Sequence, residues 1–235
     1  RSDIEGVNKD TNSLIAVDML DRNKTLNQNM VVIGTSGVGK TTYMIQKILR
    51  YAIQDYQIYI IDPENEYTKI VELLGGAVLH LTSNAKSKIN PMQIFSEEIL
   101  SADEAVTNLD ELVKDKIQRL KGFFEVLKDD MNQVEKAIMD NVVKQAYINS
   151  GILKYERLNQ IKNDQWPTLT NVYDEMAKLA EKDPDKFERV KDFYYILGSY
   201  THGSNTLFDG YTNVNLSAKI VSFDLKPLQS EQEVQ

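Results

Sequence analysis

Between Met30 and Leu49 the chain reads MVVIGTSGVGKTTYMIQKIL: four apolar residues, a run rich in glycine and small residues, then apolar residues at helical spacing. Gly34 and Gly39 bracket four residues, Lys40 and Thr41 follow at once, and the whole fits G-x-x-x-x-G-K-[ST]. That pattern calls for a buried strand, a tight loop and a helix, in that order. Glycines at 34, 37 and 39 let the chain take dihedrals that L-residues resist, so successive N–H groups can turn inward around an anion. A helix starting near Gly39 adds its first N–H groups and the positive end of its dipole. The expected ligand is a nucleotide polyphosphate, held by Gly34, Thr35, Ser36, Gly37, Val38, Gly39, Lys40, Thr41 and Thr42. Lys40 is expected on the β- and γ-phosphates, and the Thr41 hydroxyl on Mg2+.

Around this loop the pattern is α/β. LIAVDML (Leu14 to Leu20) is a short β-like run, and DRNKTLNQN links it to the apolar tetrapeptide. Met44, Ile45, Ile48, Leu49 and Ala52 put one apolar face on the helix after the loop. YQIYIID is the next strand, EYTKIVELLGG a short helix stopped by Gly75 and Gly76, and AVLHLT a third strand. Continuous apolar runs alternating with helices indicate a mainly parallel sheet covered on both faces. Asn90 and Pro91 in KINPMQIF shape a strand exit.

From about Glu97 to Tyr200 no strand run is present, and the segment reads as a large all-α insertion. Leu109, Leu112, Val113, Leu120, Phe123, Phe124 and Leu127 fall on one broad side of a helix. Asp130 and Gln133 suit a capping box for the next, which Gly151 ends. WPTLTNVYDEMAKLAEK gives a third helix, and a fourth has Asp183 as cap and Pro184 as first residue. Trp166 reads as a packing anchor. β character returns in NTLFDGYTNVNL and AKIVSFDL, and KPLQSEQEVQ is a polar tail. The resulting division is 1–96 for the first part of the core, 97–200 for the insertion and 201–235 for the return.

Composition narrows the setting. There is no run of eighteen apolar residues and no signal-peptide pattern, so no integral membrane segment is expected. The absence of cysteine excludes disulfides and thiolate-bound metal. The chain starts with Arg1 and reads as an excised piece. A net charge of −8 argues against direct nucleic-acid binding, which depends on Lys and Arg displacing counterions. His80, within a strand run, reads as a packed histidine, and His202 as a loop residue. Neither indicates a metal site.

A phosphate cradle defines a ligand class and not a reaction. IIDPENEY adds the reaction: Asp62, Glu64 and Glu66 lie at the end of the strand that follows the loop helix. A carboxylate there can orient and deprotonate a water for in-line attack. Glu64, twenty-four residues beyond Lys40, is the first candidate for that base and Glu66 the second. Asp62 is a candidate for contacting the metal through water. Acidic residues at a helix N-terminus, serving its dipole, are the bland alternative.

Taken together, GTSGVGKTT, IDPENEY, INP, a long helical insertion, LFDG and FDL resemble the nucleotide-binding domain of the large cytoplasmic ATPase of type IV secretion and conjugation machines, of VirB type and TraC/TraE type. The resemblance covers nearly the whole chain. It implies a RecA-like P-loop core of the wider HerA/FtsK group, with Glu64 at the spacing of the catalytic glutamate in RecA-like ATPases. It also implies a homo-hexamer that sits in the cytoplasm at the inner face of the membrane with other secretion-system subunits. There ATP hydrolysis drives channel or pilus assembly and substrate transfer. A nucleotide-dependent assembly module with little turnover, and a DNA translocase of the same fold, are the alternatives. One departure stands out: the family's Walker B strand ends in Asp-Glu, whereas Asp224 of KIVSFD is followed by Leu225 and Lys226. Asp224 therefore reads as an ordinary strand terminus, with Walker B and any arginine finger expected beyond Gln235. The piece alone is expected to hydrolyse nucleotide poorly.

Overall fold

The computed structural model describes residues 3–19, 21, 23, 27–82, 86–95 and 108–233. Leu20, part of the 21–29 connection, the 97–107 start of the expected insertion and the last two residues lie outside them. The chain divides into two compact units, Arg1–Lys47 and Ile48–Gln235.

In the first unit, β1 (Asp3–Val7) and β2 (Leu14–Val17) form an antiparallel hairpin. The side-chain oxygen of Asn8 accepts the N–H groups of Asp10 and Thr11 at 2.9 and 3.1 Å, and Asn12 takes φ 53°. Asparagine tolerates that left-handed conformation and so closes the turn. Sequence patterning finds only the second strand. The expected strand at Met30–Ile33 does not form: no ladder includes it, and Val31 and Ile33 are 81% and 90% exposed. A strand is made by its hydrogen-bonded neighbour, and an apolar run does not supply one.

Helix α1 (Lys40–Ile53) begins in the first unit. Its Lys47 is only 2% exposed and pairs with the Glu5 carboxylate of β1, which also accepts the Tyr43 hydroxyl at 2.5 Å. Burial, and next the hydrogen bond to Glu5, push the Tyr43 hydroxyl pKa up. The hairpin thus braces the first turns of α1.

The second unit holds a parallel sheet in the order β3 (Ile58–Asp62), β5 (Ile220–Asp224), β4 (Ala77–His80). One face is covered by Ile48 and Ala52 of α1 and by Ile70 and Val71 of α2 (Thr68–Leu73), which meet Ile58, Ile60 and Ile220. On the other, Leu79, Leu81 and Val221 pack with Leu207. Tyr59 and Ile61 on the β3 margin of that face stay 53% and 71% exposed, so its cover is incomplete.

Between β4 and β5 lie α3 (Leu109–Leu127), α4 (Gln133–Ser150), α5 (Leu169–Lys182) and α6 (Pro184–Thr201). Their shared core contains Val113, Phe124, Val143, Tyr147, Met176 and Phe193, with Trp166 buried against it. Asp183 and Pro184 start α6 and Gly151 ends α4, as the sequence indicates. The α4 cap is Asn132, not Asp130. The Asn132 side chain accepts the N–H groups of Val134 and Glu135, and Glu135 returns to the Asn132 N–H at 2.6 Å. The expected β run at 205–216 is instead a 3-10 turn at Thr206–Phe208 and irregular chain, because the Asp209 carboxylate is drawn to Thr170 N–H and Oγ1 at 2.8 and 2.7 Å. The tail is not structureless: α7 spans Lys226–Glu233, with the Lys226 N–H donating to Asp224 at 3.1 Å. Among the described residues no helix is long and apolar enough to cross a membrane.

Asn90, fully buried, joins the sheet exit to the helical stretch by donating to the Pro167 carbonyl at 2.9 Å and accepting the Met92 N–H at 3.0 Å. Asn90→Ala leaves both groups unpaired in the core and is expected to cost about 3 kcal/mol in urea unfolding. Asn90→Asp places a carboxylate against the Pro167 carbonyl in the core and is expected to cost at least as much. Glu5→Ala removes the carboxylate beside a buried ammonium and is expected to cost about 3 kcal/mol. Adding Lys47→Met should recover most of that loss in the same measurement, since an apolar pair is compatible with the site.

Candidate functional site: a phosphate-binding loop and an acidic turn

The loop takes the conformation its glycines permit. Gly37 and Gly39 have φ +77° and +98°, in the left-handed region that favours glycine, and a Cβ built on either meets nothing within 4 Å. The dihedral, not crowding, demands glycine at these two positions, and the space before them is open. At Gly34 a Cβ would lie 2.6 Å from Val38 Cγ1, so a side chain there displaces the exposed Val38. The first helical bond of α1 runs from the Tyr43 N–H to the Gly39 carbonyl at 2.9 Å, so the amides of Lys40, Thr41 and Thr42 precede the helical ladder. No acidic residue occupies the first turn of α1 to neutralise the dipole.

Lys40 folds back on the loop, its ammonium donating to the Gly34 and Thr35 carbonyls at 2.9 Å each. A cation held by neutral carbonyls can exchange them for phosphate oxygens, which bind it more strongly. Residues Ile33 to Gly39 all face solvent. Open left-handed glycines, an acid-free helix start and a lysine held only by neutral carbonyls together fit the polyphosphate of a nucleotide. Thr35, Ser36, Val38, Thr41 and Thr42 lie on this same short path.

In the second unit Asp62, Glu64 and Glu66 form one turn with distinct roles. Asp62, 1% exposed, spends its carboxylate on the backbone: Oδ1 accepts the Glu66 N–H at 3.0 Å and Oδ2 the Tyr67 N–H at 2.9 Å. The chain therefore loops around Asp62, with Asn65 at φ 58° in the bend and its side chain bonded to Thr68 Oγ1. Glu64 and Glu66 stand exposed on this loop. Burial, followed by the charges of Glu66 and Asp62, pushes the Tyr67 pKa up. A buried aspartate shapes the turn, and an exposed glutamate stands at its crown.

At the end of the neighbouring strand, Asp224 lies in register with Asp62 and is equally buried. Its Oδ2 is 2.7 Å from His80 Nδ1, and its Oδ1 accepts the Lys226 N–H. His80 is thus not a packed residue: its side chain is 55% exposed, at the sheet margin, hydrogen-bonded to a buried carboxylate. His202 caps α6 beside the Tyr173 ring and bonds Thr201 Oγ1 at 2.9 Å. Among the described residues no cluster of three or more His, Cys, Asp or Glu is placed to hold a metal. Sequence reading missed the Glu5–Tyr43–Lys47 brace and the His80–Asp224 pair. Both join residues far apart in the chain, and no local spacing announces them.

Comparison with known proteins places this geometry in a family. No curated protein matches the chain. Among solved structures, VirB4 of Thermoanaerobacter pseudethanolicus is similar, with a TM-score of 0.76 and 27% identity over 96% of this chain. The present chain spans 57% of the length of that protein. A sequence model of the TraG P-loop domain matches residues 7–234, nearly end to end. The chain therefore belongs to the TraG P-loop domain family, as the run from GTSGVGKTT through IDPENEY to FDL foreshadows.

Proposed function

We propose that this chain is the ATP-binding and ATP-hydrolysing domain of a type IV secretion or conjugative-transfer machine. The observation that carries the reading is the loop at 34–42, where left-handed glycines, an acid-free helix start and the retracted Lys40 ammonium converge. The similarity to VirB4 supplies the biological setting. On this reading the domain acts within a homo-hexamer at the inner face of the membrane, beside other secretion-system subunits, and drives channel or pilus assembly and substrate transfer.

Backbone amides from Gly34 to Thr42 hold the phosphates. Lys40 releases the Gly34 and Thr35 carbonyls and moves to the β- and γ-phosphate oxygens. Thr41 supplies a hydroxyl ligand for Mg2+, which neutralises charge on the phosphates when bound. Glu64 takes a proton from a water as its oxygen attacks the γ-phosphorus and the bond to ADP breaks. Glu66 is the second candidate for that base, and Asp62 holds the turn that presents both. Water-mediated contact of Asp62 with the metal is the weaker assignment, since both its oxygens already serve backbone amides. A nucleotide-dependent assembly module shares the binding steps and lacks the proton transfer.

Lys40→Ala is expected to weaken Mg-ATP binding about tenfold or more in a fluorescent-nucleotide titration. Glu64→Gln is expected to bind Mg-ATP as the parent does while single-turnover hydrolysis falls about 100-fold or more. Hydrolysis at the parent rate in that variant removes Glu64 from the mechanism. No hydrolysis by a parent chain extended past Gln235, with binding intact, favours the assembly module.

A further inference from the structure

Helices α4, α5 and the start of α6 enclose a groove of about 610 Å3 that takes no part in the nucleotide site. Its floor is apolar, made by Val134, Ala137, Ile138 and Val142 of α4 and Leu179 of α5. The α4 residues recur every three or four positions, so the strip follows the helix axis for about 16 Å as far as Gln145, or three turns. Val134 is 53% exposed, which leaves one end of the strip open to solvent.

The rim is asymmetric. On the α4 side the polar residues are neutral and already engaged within their own helix: Asn141 donates to the Ala137 carbonyl at 3.0 Å and Gln145 to Asn149 at 2.9 Å. Opposite stand Lys178 and Lys182, one turn apart on α5, and Lys186 in the first turns of α6. Glu175, the carboxylate in the lining, is held by Asn149 at 2.8 Å and Lys178 at 2.6 Å. Lys182 has no carboxylate partner among the described residues. Lys186 is 61% exposed, and its pair with Asp183 is of the solvent-screened kind that re-forms easily with another carboxylate, whereas Lys178, itself 52% exposed, serves the Glu175 carboxylate, which is only 8% exposed. A chain of net charge −8 thus turns a basic edge toward an apolar trough.

The volume suits a small molecule, but such pockets gather polar groups that fix a ligand's orientation, and here the amides are spent internally. A straight apolar strip at helical spacing, flanked by cations one turn apart, matches instead the way a groove receives an amphipathic helix. Nucleic acid fits poorly, because its phosphates would meet the lysines while nothing in it fills the apolar floor. We infer that this groove is a docking site for an acidic amphipathic helix of a partner protein, about three turns long, with aliphatic residues on the trough and Asp or Glu facing Lys178, Lys182 and Lys186. The inference stands apart from the nucleotide reading, since no residue of the loop or of the 62–66 turn contributes to it.

The probe is a capped, fluorescein-labelled 14-residue helix with Leu at i, i+3, i+4, i+7 and i+11 and Glu along its flank, titrated against the 235-residue chain by anisotropy. A matched peptide with Lys in place of Glu, and phosphatidylglycerol vesicles, are the controls. Saturable binding of the Glu peptide is expected, about tenfold or more tighter than the Lys peptide. Lys182→Glu with Lys186→Glu, and separately Val134→Asp, are expected to weaken it about tenfold, with a cooperative thermal melt retained because all three positions are exposed and the lost Lys186–Asp183 pair is solvent-screened. The chain has no cysteine, so a dye on Asn141→Cys alone reports whether the peptide reaches the groove. Absence of Glu-peptide binding, equal affinity for both peptides, or insensitivity to the variants or the dye overturns the assignment. Vesicle binding that the same substitutions abolish overturns it in favour of an anionic membrane surface.

Discussion

The second unit depends on β5 being seated between β3 and β4. Ile220, Val221, Ser222 and Asp224 are almost wholly buried, and every residue of the strand has a parallel partner on β3. Yet β5 arrives about 140 residues after β4. Loop-closure entropy grows only with the logarithm of length, so the long excursion is tolerable if its ends are held together. They are held: Ile89 N–H donates to the Leu207 carbonyl at 3.1 Å, Asn213 N–H to the Lys88 carbonyl at 3.2 Å, and the Lys88 ammonium to the Thr206 carbonyl at 2.6 Å. Asn90 extends the same stitching to Pro167. The helical stretch folds on a core of its own, and the sheet feels it mainly through this stem.

What seating β5 produces is a sheet edge with two buried aspartates in register. Both bend the chain away from the sheet: Asp62 by accepting two amides of the turn before α2, Asp224 by accepting the first amide of α7. Asp224 has the additional partner His80, which lies one strand across. These carboxylates explain why an acidic residue stands at each strand end without requiring that each be a reagent. Glu64 and Glu66 stand exposed on the turn that Asp62 shapes.

The fold was legible where the signal is local. Helical spacing located α3 to α6, and Asp183-Pro184 and Gly151 marked ends where the structure has them. β3, β4 and β5 were legible as β-branched and aromatic runs. The failures share one cause, which is that partners far along the chain decide them. Met30–Ile33 has the composition of a strand and no ladder; the 205–216 segment has it too, but Asp209 is claimed by Thr170 and Leu207 by the sheet face. At α4, Asn132 with Glu135 outcompeted Asp130 with Gln133 because the box must straddle the first helical turn, and register shifts of two residues are invisible to composition. The phosphate loop was readable because its chemistry is contained in nine consecutive residues. The brace under it was not, because Glu5 is some forty residues away from Lys47.

The loop and the acidic turn are each shaped by short-range means. The loop owes its shape to two left-handed glycines and to a lysine parked on its own carbonyls. The helix it feeds is held by the Glu5 carboxylate of β1, half-buried, through the buried Lys47. The acidic turn owes its shape to Asp62, whose two hydrogen bonds fix the path from Pro63 to Tyr67 before any ligand is present. Ordering these segments on binding would cost conformational entropy at every residue. Here folding has already met that cost, so ligand binding has only to exchange the partners of one ammonium. Each segment is thus tied to a neighbouring group: Lys40 donates to the loop carbonyls, the Glu66 and Tyr67 amides donate to Asp62, and the Tyr43 and Lys47 side chains of α1 pair with Glu5.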